Sequence, residues 1–345
     1  CAEQITSVAF GQLFLEDLLE LKATEKEAAA AHVREALLKL RGFQSGQGGF
    51  ATWPGQNSAD LWTTSYAGHF MLMAAQKGYA VPPEMKSRWI AFQQARAREW
   101  RVPAVAEEPI RRQEALIQAY RLYTLALART PETGVMNRFR EEVTSWPEAR
   151  WRLAAAYLLA GQPAAAGQLL ARLTPTAENP VGPNLTFGSQ LRDKAMILET
   201  LLLQNERTAA FALVREMAEE IGRSEWLSTQ TAAWSFYALA RYFGSRPGGG
   251  GLDAVVTSGG KKQTVKSGLP LVRWPLPAEG TGEVTALVTN QGREPLYMRL
   301  AARGIPLEDR TGEQQNSLRI THLFLGRDGK PTDPAALPQG SDLTL

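Results

Sequence analysis

Several helical segments of this chain are apolar on more than one side, and that restricts its fold more than any other feature. From the start to about Phe243 the sequence reads as consecutive helices of roughly one to two dozen residues, separated by Gly, Pro or Asn stops. Ala154–Leu159 and Ala195–Leu203 are apolar well beyond a single stripe. A helix of that kind has to be covered on several sides, which calls for an inner layer of helices packed inside an outer one. About a dozen helices is also the number at which helical hairpins can close a ring. Trp151–Leu173, with its Gly161-Gln-Pro163 turn between two Ala/Leu-rich helices, has the look of a helical-repeat hairpin. No fixed period recurs elsewhere, so an open solenoid ranks second.

Local signals mark where the helices begin. Thr24 and Glu27 have capping-box spacing, Val33, Leu37 and Leu40 recur at helical spacing, and Gly42 stands where a stop belongs. Further starts are expected near Ser58, Pro83, Arg111, Pro147, Pro163, Ser189, Glu206 and Ser228.

The texture changes after Tyr242. Pro247-Gly-Gly-Gly-Gly251 reads as a connection at a domain boundary. Beyond it, Leu252–Val256, Gln263–Lys266, Glu283–Thr289 and Leu296–Ala301 are short, β-branched or alternating, and spaced by turn residues, as strands of a small sandwich are. Ser317–Leu325 followed by Gly326-Arg-Asp-Gly329 reads as a strand and turn opening another domain, which the chain is expected not to complete. The expected division is therefore residues 1–245, 246–310 and 311–345, mainly α followed by a smaller all-β portion.

Composition excludes more than it selects. The formal charge is only +3, and basic residues cluster no further than pairs such as Arg111-Arg112 and Lys261-Lys262, so no nucleic-acid face is expected. No apolar run approaches the roughly 18 to 20 residues that a bilayer span needs, and no signal peptide is visible. One cysteine in 345 residues rules out an intrachain disulfide and a multi-cysteine metal site. His32, His69 and His322 are far apart and lack metal-ligand spacing, so neither a zinc enzyme nor a Ser-His-Asp hydrolase is indicated. No cofactor and no catalytic residue is assigned.

The single thiol opens the chain, in Cys1-Ala-Glu-Gln4, ahead of an amphipathic helix containing Phe10, Leu13, Phe14 and Leu18. At the first turn of a helix, Cys1 and Gln4 stand at i and i+3, with Cβ atoms about 5 to 6 Å apart. The sulfur can then reach the Gln4 carbonyl and, with loss of ammonia, close an internal thioester. A thiol is a far better leaving group than an amine, so such a bond reacts with lysine amines and with water. It persists only where solvent is excluded. The tetrapeptide by itself also admits an incidental buried cysteine at a helix start, a lipoprotein anchor cysteine, or a catalytic thiol, for which no His is placed by sequence.

Blocks elsewhere in the chain bear on that choice. Gly48-Gly-Phe-Ala-Thr-Trp-Pro54 and Asp60-Leu-Trp-Thr-Thr-Ser-Tyr-Ala67, followed by Lys77-Gly-Tyr-Ala-Val-Pro82, resemble signature segments of the bacterial alpha-2-macroglobulins. Gly188-Ser-Gln-Leu-Arg-Asp-Lys-Ala195 and Trp226-Leu-Ser-Thr-Gln-Thr-Ala-Ala-Trp234 are similar to two more family blocks. Tyr297-Met-Arg-Leu with Gly304-Ile-Pro306, and then Asp328-Gly-Lys-Pro331, resemble the segments after the thioester domain. The likeness covers nearly the whole chain, in family order.

The resemblance implies an α/α toroid of six helical hairpins over the first 245 or so residues, then a CUB-like β segment and the start of a macroglobulin-like domain. It implies a protease inhibitor of broad spectrum and single turnover, not an enzyme. A protease cuts a bait elsewhere in the parent, and the Cys1–Gln4 thioester acylates a protease lysine. The partners implied are target proteases and neighbouring macroglobulin-like domains, and the implied location is the periplasm of a bacterium, with a lipid anchor, if any, on the parent. Bait and locking residues lie outside this chain.

Trp53, Trp62 and Tyr66 are the candidates for shielding the thioester, against plain core packing. Trp62 and Tyr66 share one helical face. Glu3 is read as assisting the helix start. Gly48 and Gly49 are read as permitting a turn where backbone comes close to another element. His69 is read as an interior histidine, with an acyl relay as its minority role. Some complement relatives carry a His about a hundred residues after the thioester, where it directs the acyl group toward hydroxyls. Here Glu108–Glu114 offers Pro109-Ile-Arg-Arg-Gln113 and no His, which implies direct aminolysis. Two rivals remain. One is a toroid enzyme, which needs clustered acids at the ring's mouth where this chain has pairs such as Glu107-Glu108 and Glu219-Glu220. The other is a non-covalent binding module with an inert Cys-Gln pair.

Overall fold

A computed structural model describes residues 1–103, 106–224, 226–244, 251–276, 285–292, 296–301, 319 and 321–344. It divides into two compact units, Cys1–Tyr297 and Met298–Leu345.

The first unit opens with α1 (Ala2–Gln12), the short α2 (Leu15–Leu18) and α3 (Ala23–Leu40). There follow α4 (Leu61–Gln76), α5 (Pro83–Glu99), α6 (Glu108–Leu127), α7 (Thr133–Glu142), α8 (Pro147–Leu159) and α9 (Pro163–Leu170). The helical part ends with α10 (Gln190–Leu203), α11 (Arg207–Arg223) and α12 (Thr229–Gly244). Their starts have local causes. The Asp60 carboxylate accepts from the Thr63 amide at 2.7 Å, and Ser189 Oγ accepts from the Arg192 amide at 3.1 Å. Pro83, Pro147 and Pro163 occupy first-turn positions, where a missing N–H costs nothing.

Three expected starts shift. The helix read from Thr24 begins two residues earlier: its cap is at Lys22, whose amide donates to Glu25 at 2.8 Å, so Thr24 lies inside the helix. The start near Ser58 moves to Leu61 because Asp60 is the residue whose side chain reaches a free amide. The start near Arg111 moves back to Glu108, where Pro109 suits the first turn.

Packing sorts the helices into two layers. α1, α4, α6, α8, α10 and α12 each pack on the next, and α12 packs back on α1, which closes a ring where a solenoid would leave its ends apart. α3, α5, α7, α9 and α11 lie against them on the outside. The outer helices carry a single buried stripe, as in α11, where Ala210, Leu213, Val214 and Met217 keep helical spacing. Burial of Leu213 or Met217 contributes about 1.5–3 kcal/mol each. The inner helices are buried nearly all round; in α4 every residue from Trp62 to Ala74 is buried. Gly68 of α4 has no room for a side chain, since a Cβ there would meet the Trp89 ring of α5 at 2.1 Å. The indole can therefore lie on the helix and donate to the Thr64 carbonyl at 2.8 Å.

Inner and outer helices alternate along the chain, so the inner six run parallel and gather their N-termini at one end. The side chains filling the ring confirm it by level. Near that end, second and third helical residues meet: Arg192 of α10 donates to Gln230 of α12 at 2.9 Å and lies 4.5 Å from the Trp62 ring of α4. Deeper, Phe10, His69, Trp234 and Tyr237 pack ring to ring. At that level Arg152 of α8 pairs with Glu199 of α10 at 2.7 Å, both fully buried. Tyr123 of α6 donates to Glu199 at 2.5 Å, Tyr237 of α12 donates to the same oxygen, and the guanidinium lies 4.4 Å from the Tyr123 ring. Four inner helices thus share one buried charge pair.

The remainder of this unit is a three-stranded antiparallel sheet of order β2-β1-β3, from β1 (Leu252–Ser258), β2 (Lys261–Ser267) and β3 (Ala286–Asn290). Gly259 and Gly260 both have positive φ, as a two-residue hairpin turn requires. Ala254, Val256 and Val265 form its buried face. The Leu271 amide donates to the Leu18 carbonyl at 3.0 Å and Arg273 pairs with Glu25 at 2.8 Å, so this segment is tied to the ring. Leu296–Ala301 carries no strand: its alternating pattern finds no pairing partner among the described residues, and Met298 and Leu300 are exposed. Most of the expected 247–251 connection, part of the strand expected at 283–289, and Gly304-Ile-Pro306 lie outside the described residues, as do Ser317, Leu318 and Ile320 of the strand expected at Ser317–Leu325, whose described residues carry only an isolated bridge at Leu325.

In the second unit, Leu325 pairs with both Pro331 and Thr344, around a turn closed by Gly329 donating to the Gly326 carbonyl at 2.9 Å. A 3-10 turn follows at Pro334–Ala336.

Removing one member of the central pair leaves the other charged and buried, so Arg152→Ala is expected to destabilise the protein by about 3–5 kcal/mol. Chemical denaturation of the two proteins under matched conditions measures it.

Candidate functional site

Cys1 is the N-cap of α1 and Gln4 its third helical residue, and the Ile5 amide donates to the Cys1 carbonyl at 3.2 Å. These are the positions at which, in a capping box, each side chain reaches the other residue's backbone amide; α1 itself has no side-chain cap hydrogen bond. Burial around α1 alternates. Ala2, Glu3, Thr6, Ser7, Ala9 and Phe10 face inward, whereas Cys1 is half-buried and Gln4 and Val8 are exposed. The structure thus brings the two predicted thioester residues to one outer rim, at the end of the ring where the inner helices begin.

The loop before α4 backs this rim. The Thr52 carbonyl accepts from the Ala2 amide at 3.0 Å, joining the loop to the residue after Cys1. The loop is held by the Phe50 amide donating to Thr64 Oγ at 2.8 Å and by the Asp60 amide donating back to the Phe50 carbonyl at 2.9 Å. Gly48 makes the close approach expected of it: at φ +103° a Cβ would stand 2.4 Å from the Arg88 carbonyl oxygen.

The aromatic candidates occupy different places. Trp53, one residue beyond Thr52, is 55% exposed at the rim. Trp62 is fully buried between Arg192 and the Tyr120 ring, 4.8 Å away centre to centre. Tyr66 is fully buried, with its hydroxyl 3.1 Å from Ser7 Oγ, and burial raises its pKa. Trp62 and Tyr66 do share one face of α4, and that face points into the ring.

His69 lies in the deep layer, its Nδ1 3.0 Å from the Tyr120 hydroxyl and its ring 5.0 Å from that of Phe10. Phe10 is nine residues past Cys1, roughly 13 Å along the helix axis. Burial lowers the His69 pKa to about 3, outweighing the attraction of Glu199. A neutral imidazole at that depth is not placed to relay an acyl group at the rim.

Sequence reasoning missed the polar residues that organise this end. Glu3 does more than start the helix: it is only 6% exposed, accepts from Ser7 Oγ at 2.7 Å, and receives the Gln230 amide at 3.4 Å. Arg192, Asp193 and Gln230 sit inside blocks already singled out for resemblance. The usable signal was charge within helices otherwise apolar all round. Carboxylates at this end are paired, Asp193 with Arg192 at 2.6 Å and Glu148 and Glu178 with Arg112. Of the acid pairs noted in the sequence, Glu107 and Glu108 are exposed at the start of α6, where Glu108 accepts from Trp146 Nε1 at 2.7 Å, while on α11 Glu219 is exposed and Glu220 takes Lys194 at 3.1 Å. Among the described residues, no group of three or more His, Cys, Asp or Glu could hold a metal ion, and no helix is long and apolar enough to cross a membrane.

The architecture and the rim together define a protein built on a double-layered helical ring that presents a Cys-x-Glu-Gln turn at the N-terminal end of its inner helices. No family model matches the chain. It is 26% identical over 368 aligned residues to the alpha-2-macroglobulin of Escherichia coli (strain K12), an alignment that covers all of this chain and 21% of that protein. Its fold matches the crystal structure of Salmonella alpha-2-macroglobulin reacted with methylamine, with a TM-score of 0.71, 22% identity, and coverage of 96% of this chain and 22% of that one. It also matches Escherichia coli alpha-2-macroglobulin activated by porcine elastase, with a TM-score of 0.62, 22% identity, and coverage of 99% and 31%. The chain is a homologue of the bacterial alpha-2-macroglobulins, and it spans about a fifth of the length of the curated relative it matches.

The ring centre should make the protein acid-sensitive. Burial raises the Glu199 carboxyl, but Arg152, His69 and Arg241 outweigh this and hold it at about 2. Both folded pKa values, that of Glu199 and that of His69, lie below the unfolded ones, so each contribution is complete above the unfolded pKa and is lost as pH falls through the folded one. The melting temperature is therefore expected to fall continuously from pH 6.5 toward pH 2. His69→Gln should flatten the upper part of that decline, measured by calorimetry across the range.

Proposed function

We propose that this chain is the thioester-carrying ring of a bacterial protease trap. The observation that carries the reading is the rim placement of Cys1 and Gln4, at the N-cap and third position of α1, with Gln4 open to an incoming nucleophile. Closure joins the Cys1 sulfur to the Gln4 side-chain carbonyl carbon. The carbon–nitrogen bond breaks, and the thiol proton leaves with ammonia. Capture is the reverse exchange: a lysine amine attacks the same carbon, the carbon–sulfur bond breaks, and the sulfur takes the proton as a free thiol. Because the acyl group is consumed, the protein acts once and is not an enzyme.

Support comes from several directions. The relatives include one reacted with methylamine, a small amine of the kind a thioester acylates, and one activated by elastase. The buried, neutral His69 leaves no imidazole relay toward hydroxyls, which favours lysine amines. Trp53, at the rim, would limit water at the bond, whereas Trp62 and Tyr66 face into the ring and pack its interior. On this reading residues 1–245 are the thioester toroid, 246–310 a CUB-like segment and 311–345 the beginning of a macroglobulin-like domain. Neighbouring macroglobulin-like domains and a bait belong to the rest of the parent, which would act in the periplasm, with any lipid anchor outside this chain.

Intact mass of the full-length protein tests the bond. The expected mass is lower than the sequence mass by about 17 Da, one ammonia, and methylamine should modify Gln4 and free one titratable thiol. Freshly prepared protein of unshifted mass, with the Cys1 thiol already titratable, would instead indicate a non-covalent module with an inert pair.

A further inference from the structure

Glu3 stands between the two residues that would form the bond, yet its side chain points the opposite way, into the ring. Its bonding pattern is fixed by elimination. Arg192 can only donate, so it must face Gln230 Oε1, at 2.9 Å, and this sets the Gln230 amide with its NH2 toward Glu3. Ser7 Oγ spends its one proton on Glu3 at 2.7 Å, so in its 3.1 Å contact with Tyr66 the phenol donates. Two donor relays therefore converge on the same Glu3 oxygen: Arg192 to Gln230 to Glu3 from α10 and α12, and Tyr66 to Ser7 to Glu3 from α4 and α1.

Successive helix residues are about 100° apart, so a first turn pinned by an inward Glu3 must present Cys1 and Gln4 on the outer side. An unpinned first turn frays, because its amides have no intrahelical acceptors, and the Cys1–Gln4 approach is lost with it. We infer that Glu3 is a positioning residue, which through its hydrogen bonds to Ser7 and Gln230 sets the rotation of the α1 first turn and so the approach of the Cys1 sulfur to the Gln4 carbonyl. It works as an acceptor of hydrogen bonds and not as an acid or base. The inference rests on the thioester reading.

The test compares full-length wild type with Glu3→Ala, Glu3→Gln and Gln230→Glu, reading thioester yield by intact mass and the rate at which resting protein loses methylamine reactivity. Glu3→Ala removes both bonds, and yield is expected to fall about tenfold, within the range that small misplacements of reacting groups cost. Glu3→Gln keeps an oxygen acceptor at the same place and is expected to restore yield to near wild type. Gln230→Glu keeps Arg192 paired but sets a like charge against Glu3, and is expected to resemble Glu3→Ala with a lowered melting temperature. It serves as the second reading if Glu3→Ala does not fold. Wild-type yield in both Glu3→Ala and Gln230→Glu, or a Glu3→Gln protein as deficient as Glu3→Ala, overturns the positioning role while leaving the trap reading intact. A wild type that never shows the ammonia loss overturns both.

Discussion

The contact of α12 with α1 is the constraint on which the rest of the ring depends. It makes the last inner helix a neighbour of the first, so residues more than two hundred apart in sequence, Glu3 and Gln230, share a hydrogen bond. Closure also fixes direction. Six inner helices separated by outer ones must run the same way, which brings their free amide ends together on one rim, beside Cys1 and Gln4. The interior is not filled by hydrocarbon alone. Its centre holds an arginine, a glutamate, a histidine and several tyrosines whose polar atoms find one another, while their rings supply the packing.

Such an interior trades stability for definition. A buried ion pair gains little over well-packed apolar residues, because desolvation offsets the attraction. Arg152 and Glu199, however, have strict requirements: the guanidinium needs its carboxylate and the Met196 carbonyl, and the carboxylate takes two phenols. A helix rotated by one position would orphan several charges at once. The same logic operates on a smaller scale near the rim, where Arg192, Gln230, Glu3, Ser7 and Tyr66 have one mutually consistent donor pattern. The deep cluster defines the ring, and the shallow one defines how α1 enters it.

Much of this was legible in the sequence. Pro83, Pro147, Pro163 and Ser189 mark helix starts because each meets a local need of a free helix end, and all four are in place. The apolar excess of the inner helices called for two layers, and two layers are present. Cys1 and Gln4 stand in the first turn of α1, at its N-cap and third position, half-buried and exposed respectively. What could not be read was facing. Trp53, Trp62 and Tyr66 look alike as aromatics near a signature, but Trp53 lies on the rim and the other two inside the ring. Glu3 was read as serving its own helix because its partner across the ring is set by closure, a tertiary event with no local trace. Leu296–Ala301 alternates like a strand, but a strand also needs a neighbour to pair with.

The central claim is that the acyl group of Gln4 is handed to an attacking protein. Peptide mapping by tandem mass spectrometry, after full-length protein is mixed with an active protease, examines it most directly. The account predicts an isopeptide link between Gln4 and a lysine of the protease, together with Cys1 recovered as a free thiol. A protease held without any covalent link at Gln4, in protein whose thioester was intact beforehand, would contradict it.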